Sequence, residues 1–178
     1  MKTDGGIKKH NIIQDMAKIE RDILTMKAKT AQQAEIIRAN GNASAGGNGC
    51  WNLTDDSPGQ AGSIFSLNSI NLNAPFFYST RLNFGCKDAN GADGIVFIFA
   101  TTNTALGTGG GGIGYQNISP SIAIEWDDYQ NGGFGDPASD HVAIMRNGSV
   151  NHGSPDNLAG PITLPNIEDC NEHCVTIS

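Results

Sequence analysis

Five side chains suited to metal coordination lie within one seventeen-residue segment of the chain, EWDDYQNGGFGDPASDH. They are Glu125, Asp127, Asn131, Asp136 and His141. Carboxylate, amide and carbonyl oxygens suit Ca²⁺, whereas carboxylates with one imidazole suit Mn²⁺ or Zn²⁺. The segment therefore predicts a metal centre in which two ions share the carboxylates of Asp127 and Asp136. The alternative is an acidic surface loop with an incidental histidine, which five candidate ligands in one segment disfavour.

The elements around this segment indicate how the ligands meet. Residues 121–127 alternate with a period of two, so a strand there places Glu125 and Asp127 on one face. Residues 132–137 are rich in Gly and Pro, which predicts a loop that folds back and brings Asp136 near them. An EF-hand is excluded because its twelfth position, counted from Asp127, holds Ala138 instead of a carboxylate.

The same residues resemble the metal-binding segment of the legume-type (L-type) lectins. Residues 85–93 and 140–148 resemble bacterial cell-surface members of that family more than plant seed lectins. The family pattern is E-x-D-x-[FY]-x-N, a short loop, then D-P with a histidine five residues after the aspartate, and it runs here without a gap. The transition-metal ligands that this resemblance implies, usually for Mn²⁺, are Glu125, Asp127, Asp136 and His141. The Ca²⁺ ligands that it implies are Asp127, the Tyr129 carbonyl, Asn131 and Asp136.

Two further motifs, GADG at residues 91–94 and GGGGIGY at residues 109–115, resemble the sugar-binding loops of the same family. The resemblance implies that Asp93 follows a cis peptide bond and accepts hydrogen bonds from two sugar hydroxyls. It also implies that the backbone N–H of Gly111 and the side-chain amide of Asn131 donate to the sugar. Taken alone, GADG is an ordinary turn into a strand, and the glycine run is a flexible loop.

Two aromatic side chains lie beside these loops and are candidates to stack on a sugar face. They are Tyr129 and Phe134. Ordinary packing within the loop is the alternative for Phe134.

From residue 48 onward the chain predicts β-structure throughout. Strand-like runs are separated by Asn-Gly and Asp-Gly turns without helical patterns between them, which favours an all-β sandwich. The runs are residues 63–67, 76–84, 95–100, 121–127, 141–146 and 175–177. The resemblance implies a concanavalin-like jelly-roll of two antiparallel sheets over residues 48–178. Since the family normally continues for several more strands, one of which carries a further sugar-contacting loop, we expect this domain to be C-terminally truncated.

The first 40 residues have a different composition, poor in glycine and aromatic residues. Apolar residues recur from Ile12 to Ile37 at alternating spacings of four and three, which predicts a helix with a coiled-coil-like stripe over residues 8–39. This segment is expected either to form a homo-oligomer contact or to be foreign to the natural protein. Residues 41–47, rich in Gly, Ser and Asn, are expected to be a linker.

The chain has four cysteines, an even number that favours an oxidising compartment. We predict one disulfide between Cys50 and Cys86, and a second between Cys170 and Cys174 that closes a small loop. A zinc site formed by Cys170, His173 and Cys174 is a weaker alternative, because no fourth ligand is evident.

Composition restricts the partners. The net charge of −7 and the pI near 4.8 argue against nucleic acid or an anionic membrane. No run approaches 18 consecutive apolar residues, so membrane insertion is not expected. No signal peptide is visible at the start of this chain. The lectin resemblance nevertheless implies an extracellular or cell-surface location.

Three functions are compatible with these residues. The favoured one is non-catalytic, Ca²⁺- and Mn²⁺-dependent binding of glycans by an extracellular lectin or adhesin module. A structural adhesin module, stiffened by metals without binding sugar, is the second. The third is a laminarinase-like glycoside hydrolase, whose strand also begins E-x-D. That enzyme needs a second carboxylate at position 129 or 130, where this chain has Tyr129 and Gln130.

Overall fold

The structure, a computed structural model, describes residues 37–88, 90–101 and 106–178 of the 178-residue chain. This part is built of β-strands joined by loops, with short 3-10 helices at Gly47–Gly49 and Gly110–Gly112. The strands are β1 (Ile37–Gly41), β2 (Ser44–Ala45), β3 (Trp51–Asn52), β4 (Gly62–Ser66), β5 (Tyr78–Leu82), β6 (Gly94–Ala100), β7 (Ser121–Asp127), β8 (His141–Arg146), β9 (Asn157–Thr163) and β10 (His173–Ile177). None of the helical turns described is long and apolar enough to cross a membrane.

Four strands form the sheet that carries the predicted metal ligands. Their order is β6-β7-β8-β9, and each neighbouring pair is antiparallel. Burial alternates along β7, so Glu125 and Asp127 lie on the same buried face, as the period-two pattern predicts. The register places Asp127 opposite His141 of β8. Three predicted ligands therefore meet at one end of one sheet face.

The hydrophobic core lies on that same face and is small. Loop residues supply three of its fully buried side chains, and the sheet supplies the other three. The members are Tyr115, Ile118, Val150, Ala123, Ala143 and Met145. The opposite face of the sheet carries exposed apolar side chains, among them Ile122, Ile144 and Ile162. The polar site thus shares its side of the sheet with the core.

A second antiparallel pair joins β5 to β10, from Leu82 opposite His173 to Tyr78 opposite Ile177. The ring of Tyr78 lies 4.8 Å from that of Phe97, which ties this pair to β6 of the main sheet. Two shorter pairings, β1 with β4 and β2 with β3, complete the described strands. The predicted all-β architecture of antiparallel sheets is confirmed.

The N-terminal boundary differs from the prediction. Residues 37–39, expected to end the helix, belong to strand β1, and the expected linker contains strand β2. The backbone N–H of Asn42 donates to the Ala61 carbonyl at 3.0 Å, and the Ala61 N–H donates to Asn42 Oδ1 at 3.2 Å. These long-range bonds override the local helical pattern, whose contribution per residue is small. The body of the predicted helix, residues 8–36, lies outside the described residues, and oligomerisation through it stays a prediction.

The disulfide connectivity predicted from the sequence is wrong. Cys86 is bonded to Cys170, with their Cα atoms 4.5 Å apart, whereas Cys50 and Cys174 are exposed free thiols. The physical reason is the pairing of β5 with β10, since Cys86 follows the first strand and Cys170 precedes the second. The N–H of Cys170 also donates to the Gly85 carbonyl at 2.9 Å. This bond removes Cys170 from the alternative zinc site, which is therefore wrong too.

Strand β9 is not predicted by the sequence, because a Gly-Pro pair interrupts it. Its pairing with β8 is irregular beside that pair. Gly160 has a φ of +95°, and a Cβ there would lie 2.7 Å from the Val142 carbonyl oxygen. Glycine is thus required at this point for the edge strand to approach β8 closely.

Candidate metal and sugar site

Three carboxylates are buried together at the end of the main sheet. Glu125 is 1%, Asp127 3% and Asp136 8% exposed. Strand β7 carries the first two, and the loop between β7 and β8 brings the third. That loop is held by its own acids, since Asp127 Oδ1 accepts the Tyr129 N–H at 2.8 Å and Asp136 Oδ2 accepts the Asn131 N–H at 2.7 Å. The folding-back predicted for residues 132–137 is confirmed.

Burial and neighbouring charges raise the pKa values of two of these carboxylates, Asp127 and Asp136. Burial raises the pKa of Asp127 to about 8, against the Tyr129 N–H that lowers it, and the charges of Asp136 and Glu125 raise it further. Burial likewise raises the pKa of Asp136, although the Asn131 N–H and two nearby histidines lower it. Buried acids whose pKa values are raised in this way gain most from a bound cation, whose charge neutralises them.

His141 provides a ring nitrogen without a hydrogen-bond partner, Nε2, beside these acids. Its side chain is fully buried, and Nδ1 lies 3.2 Å from the Ser139 carbonyl oxygen, which favours the tautomer protonated at Nδ1. Nε2 is buried without a hydrogen-bond partner. Burial also lowers the pKa of His141, so the ring is neutral and able to coordinate. The predicted ligand role of His141 fits this geometry.

A second histidine, His152, lies in the same place and was not singled out by the sequence analysis. Its Nε2 is 2.5 Å from Glu125 Oε1, and its Nδ1 is 3.2 Å from Asp136 Oδ1. Burial alone would lower the pKa of His152, but the hydrogen bond and charge of Glu125 raise it. The hydroxyl of Tyr115 contacts the other oxygen of Glu125.

The loop that follows β8 brings His152 into the site. Its backbone N–H donates to the Phe134 carbonyl at 2.8 Å, and its own carbonyl accepts from Asn157 Nδ2 at 2.9 Å. The available sequence signal is the Asn-Gly turn at residues 147–148, which directly follows the strand that bears His141. A chain that reverses direction at this turn runs back alongside β8, toward the end of the strand that bears His141.

Three of the residues predicted to bind sugar, Asp93, Gly111 and Asn131, converge beside the loop between β7 and β8. The side-chain amide of Asn131 donates to Asp93 Oδ1 at 3.3 Å. Gly111 packs on the same amide, since a Cβ at Gly111 would lie 2.3 Å from Asn131 Oδ1. The peptide bond between Ala92 and Asp93 is cis, as the resemblance implied.

The two candidate aromatic residues differ. Tyr129 is 48% exposed, so its ring is available to a ligand. Phe134 packs partly buried against the hydrophobic core. Of the two candidates, Tyr129 therefore has the more accessible ring.

A further acidic residue adjoins the site. Burial raises the pKa of Asp128 to about 7, and the charges of Glu168, Asp140 and Asp93 raise it as well. Its Oδ1 is buried without a hydrogen-bond partner. This end of the sheet thus concentrates acidic side chains, whose burial raises the pKa values of Asp127 and Asp128.

The donor set fits the two ions implied by the resemblance. Asp136, His141 and His152 each offer a ligand atom, and these atoms lie within 4.8 Å of one another. Asp127 offers carboxylate oxygens and Asn131 offers an amide oxygen. The nitrogen-containing group suits a transition metal, and the all-oxygen group suits Ca²⁺.

The model of the legume lectin beta-barrel domain matches residues 28–178, which is most of this sequence. The chain belongs to the legume lectin family. The match begins before residue 48, the start of the domain predicted from the sequence.

Similar proteins agree with this membership. The galactose-binding lectin of Arachis hypogaea is 27% identical over 152 residues, covering 68% of this chain and 55% of the relative. The chain therefore spans about half the length of that curated relative.

Two solved structures have the same fold. Peanut lectin with a 9mer peptide (PVIWSSATG) has a TM-score of 0.55 and 19% identity, over 80% of this chain and 75% of that one. Basic winged bean lectin with Tn-antigen has a TM-score of 0.56 and 24% identity, over 80% and 63%. The predicted concanavalin-like jelly-roll is thereby confirmed.

Proposed function

We propose that this chain is a non-catalytic, metal-dependent carbohydrate-binding module. The observation that carries the proposal is the convergence of Asp93, Asn131 and Gly111 beside a buried acidic metal site. Family membership supports carbohydrate binding as the general activity.

In this proposal each polar group of the sugar site has one role. Asp93 accepts hydrogen bonds from two sugar hydroxyls, and the Asn131 amide and Gly111 N–H donate to the sugar. The exposed ring of Tyr129 stacks on an apolar sugar face. Each of these contacts replaces a hydrogen bond to water, so the affinity of one site is modest.

The metals organise the loops in this proposal. Ca²⁺ is bound by Asp127, Asn131, Asp136 and the Tyr129 carbonyl, and Mn²⁺ or another transition metal is bound on the histidine side. When bound, the ions neutralise the buried acids and hold the Asn131 amide toward Asp93. The backbone N–H of Asn131 already donates to Asp136, which supports this coupling between metal and sugar residues.

A glycoside hydrolase is less well supported. The candidate nucleophile, Glu125, is buried and contacts Tyr115 and His152 through its two oxygens. A retaining enzyme needs two carboxyl groups about 5–5.5 Å apart around an accessible bond. Because Glu125 is buried and both of its oxygens already have partners, it is not accessible to a polysaccharide.

We further propose that the module acts outside the cell, as part of an adhesin or a cell-surface lectin. The disulfide between Cys86 and Cys170 supports an oxidising location. A purely structural adhesin role, with metals bound and no sugar, is the alternative that the experiment below distinguishes.

The test is a glycan-array screen of the chain with added Ca²⁺ and Mn²⁺, repeated after chelation with EDTA. We expect binding to a defined sugar class that EDTA abolishes and Ca²⁺ restores. Binding unaffected by EDTA contradicts the metal dependence. Absence of glycan binding in a protein that binds metals by calorimetry favours the structural adhesin role.

A further inference from the structure

The ligand set implied by family resemblance gives the transition metal one imidazole, His141, and a direct bond from Glu125. The structure places a second imidazole in the same site. His152 is as deeply buried as Glu125, with side chains 3% and 1% exposed. Its two ring nitrogens face two different acids of the site.

The hydrogen bonds around His152 determine which nitrogen is available to a metal. Nε2 lies 2.5 Å from Glu125 Oε1, so a proton on Nε2 is donated to that carboxylate. Nδ1 is then the nitrogen with the lone pair. It is buried, has no hydrogen-bond partner and lies near Asp136.

His141 is arranged in the complementary way. Its Nδ1 faces the Ser139 carbonyl, and its Nε2 is the buried, unpartnered nitrogen. The two rings are edge to face, with centroids 5.1 Å apart. One ring nitrogen from each histidine and an Asp136 oxygen lie within 4.8 Å of one another. Ligand atoms around a tetrahedral zinc, with bonds of about 2.0–2.1 Å, lie closer together than this limit, so the three side chains must move inward around the ion.

Glu125 is engaged from both sides. One oxygen contacts His152, and the other contacts the hydroxyl of Tyr115. A carboxylate that accepts the N–H of a metal-binding imidazole fixes the tautomer and orientation of that ring. Glu125 has the position and the contacts of such a group.

We propose that His141 Nε2, His152 Nδ1 and Asp136 bind the transition metal, and that Glu125 orients His152 instead of coordinating the ion. This inference rests on the metal site of the proposed function and changes its ligand set. Two imidazoles raise affinity along the series from Mn²⁺ to Zn²⁺, since Mn²⁺ gains least from nitrogen ligands. The site is therefore selective for Zn²⁺ or Co²⁺ over Mn²⁺.

The experiment is a titration of the metal-stripped chain with Co²⁺, followed by visible absorption and by displacement with Zn²⁺ and Mn²⁺. For the wild type we expect one Co²⁺ with the spectrum of a site with nitrogen ligands, displaced by Zn²⁺ and not by equimolar Mn²⁺. His152→Gln should weaken Co²⁺ binding by about 100-fold or more and change the spectrum. Glu125→Gln should weaken binding by about 10–100-fold and keep the spectrum, since it acts through His152.

His173→Gln is the matched control, because His173 contacts Ile167 and Asp169 away from this site. It should leave the titration unchanged. Histidine-selective ¹⁵N NMR of the wild type provides a second readout that needs no variant, in which Zn²⁺ should shift Nδ1 of His152 and Nε2 of His141.

Two results would overturn the inference. One is a His152→Gln variant that binds Co²⁺ as the wild type does while Glu125→Gln loses it, because Glu125 is then the direct ligand. The other is Co²⁺ binding by the His152→Ala variant together with none by the wild type, because the imidazole of His152 would then occupy the metal position itself. Either result leaves the glycan-array outcome untouched, so this inference can fail while carbohydrate binding stands.

Discussion

The side-chain amide of Asn131 donates a 3.3 Å hydrogen bond to Asp93 Oδ1, across 38 residues of sequence. The two residues come from different loops, one before β6 and one after β7. Because β6 and β7 are neighbours, with Gly94 opposite Asp127, their ends bring these loops together. The fold of the chain alone therefore places the Asn131 donor beside the Asp93 acceptor.

Asp93→Asn should abolish glycan binding and leave metal binding intact. The change replaces an acceptor of two hydroxyl bonds with a group that donates on one side, which leaves a sugar hydroxyl unpaired. Such a loss costs about 1–3 kcal/mol per group, or roughly tenfold or more in affinity. Calorimetry with glycan and with Ca²⁺ measures both properties. Asp55→Asn, an exposed site with the same charge change, is the control, and normal glycan binding by Asp93→Asn would show that the sugar site is misassigned.

Gly111→Ala should remove glycan binding while the chain stays folded. The added methyl group would lie 2.3 Å from Asn131 Oδ1, so the amide must leave its position beside Asp93. Gly132→Ala is a matched control in the same site, since nothing lies within 4 Å of a Cβ there. Binding of both variants to surface-immobilised glycans tests this prediction. Equal binding by the two variants would mean that the Asn131 amide is not needed.

The metal-free chain should lose stability as the pH rises from about 5 to 8. The pKa values of Asp127 and Asp128 in the fold are about 8 and about 7, whereas an unfolded aspartate titrates near 3.9. The folded chain thus binds more protons than the unfolded chain in this window, and each proton lost there costs stability.

Thermal melts in EDTA across this pH range test that expectation, with parallel melts in excess Ca²⁺. The melting temperature in EDTA should fall with pH, and the gap between the two series should widen. A metal present at 100 times its Kd adds about 2.7 kcal/mol to the free energy of unfolding. A melting temperature in EDTA that is flat or rises with pH would contradict the raised pKa values.

Replacing both Cys86 and Cys170 by Ala should lower the free energy of unfolding by about 2–5 kcal/mol, because the bond closes a loop of 84 residues in the unfolded chain. The double variant Cys50→Ala with Cys174→Ala is the control and should unfold like the wild type, since both thiols are exposed and free. Urea unfolding followed by tryptophan fluorescence compares them. A large loss of stability in both double variants would instead favour the pairing expected from the sequence, because each variant would then break both of those bonds.

The sequence was most informative where side chains alternate along a strand. Strands β7 and β8, and with them Glu125, Asp127 and His141, followed from a period of two that the burial of the sheet matches. The position of His152 could not be predicted in this way, because its loop has no periodic pattern. Where that loop meets the site depends on where β8 ends. The disulfide failed for a related reason, because Cys170 meets Cys86 through a strand pairing that links distant parts of the chain.

Every residue assigned to metal or sugar, from Asp93 to His152, lies inside the covalent ring that the bond between Cys86 and Cys170 closes. A protease that cuts one peptide bond within this ring leaves both fragments attached to each other. The fragment that contains Asp93 and the fragment that contains the histidines then stay joined in one molecule. The two fragments separate only when a reductant cleaves the disulfide between Cys86 and Cys170.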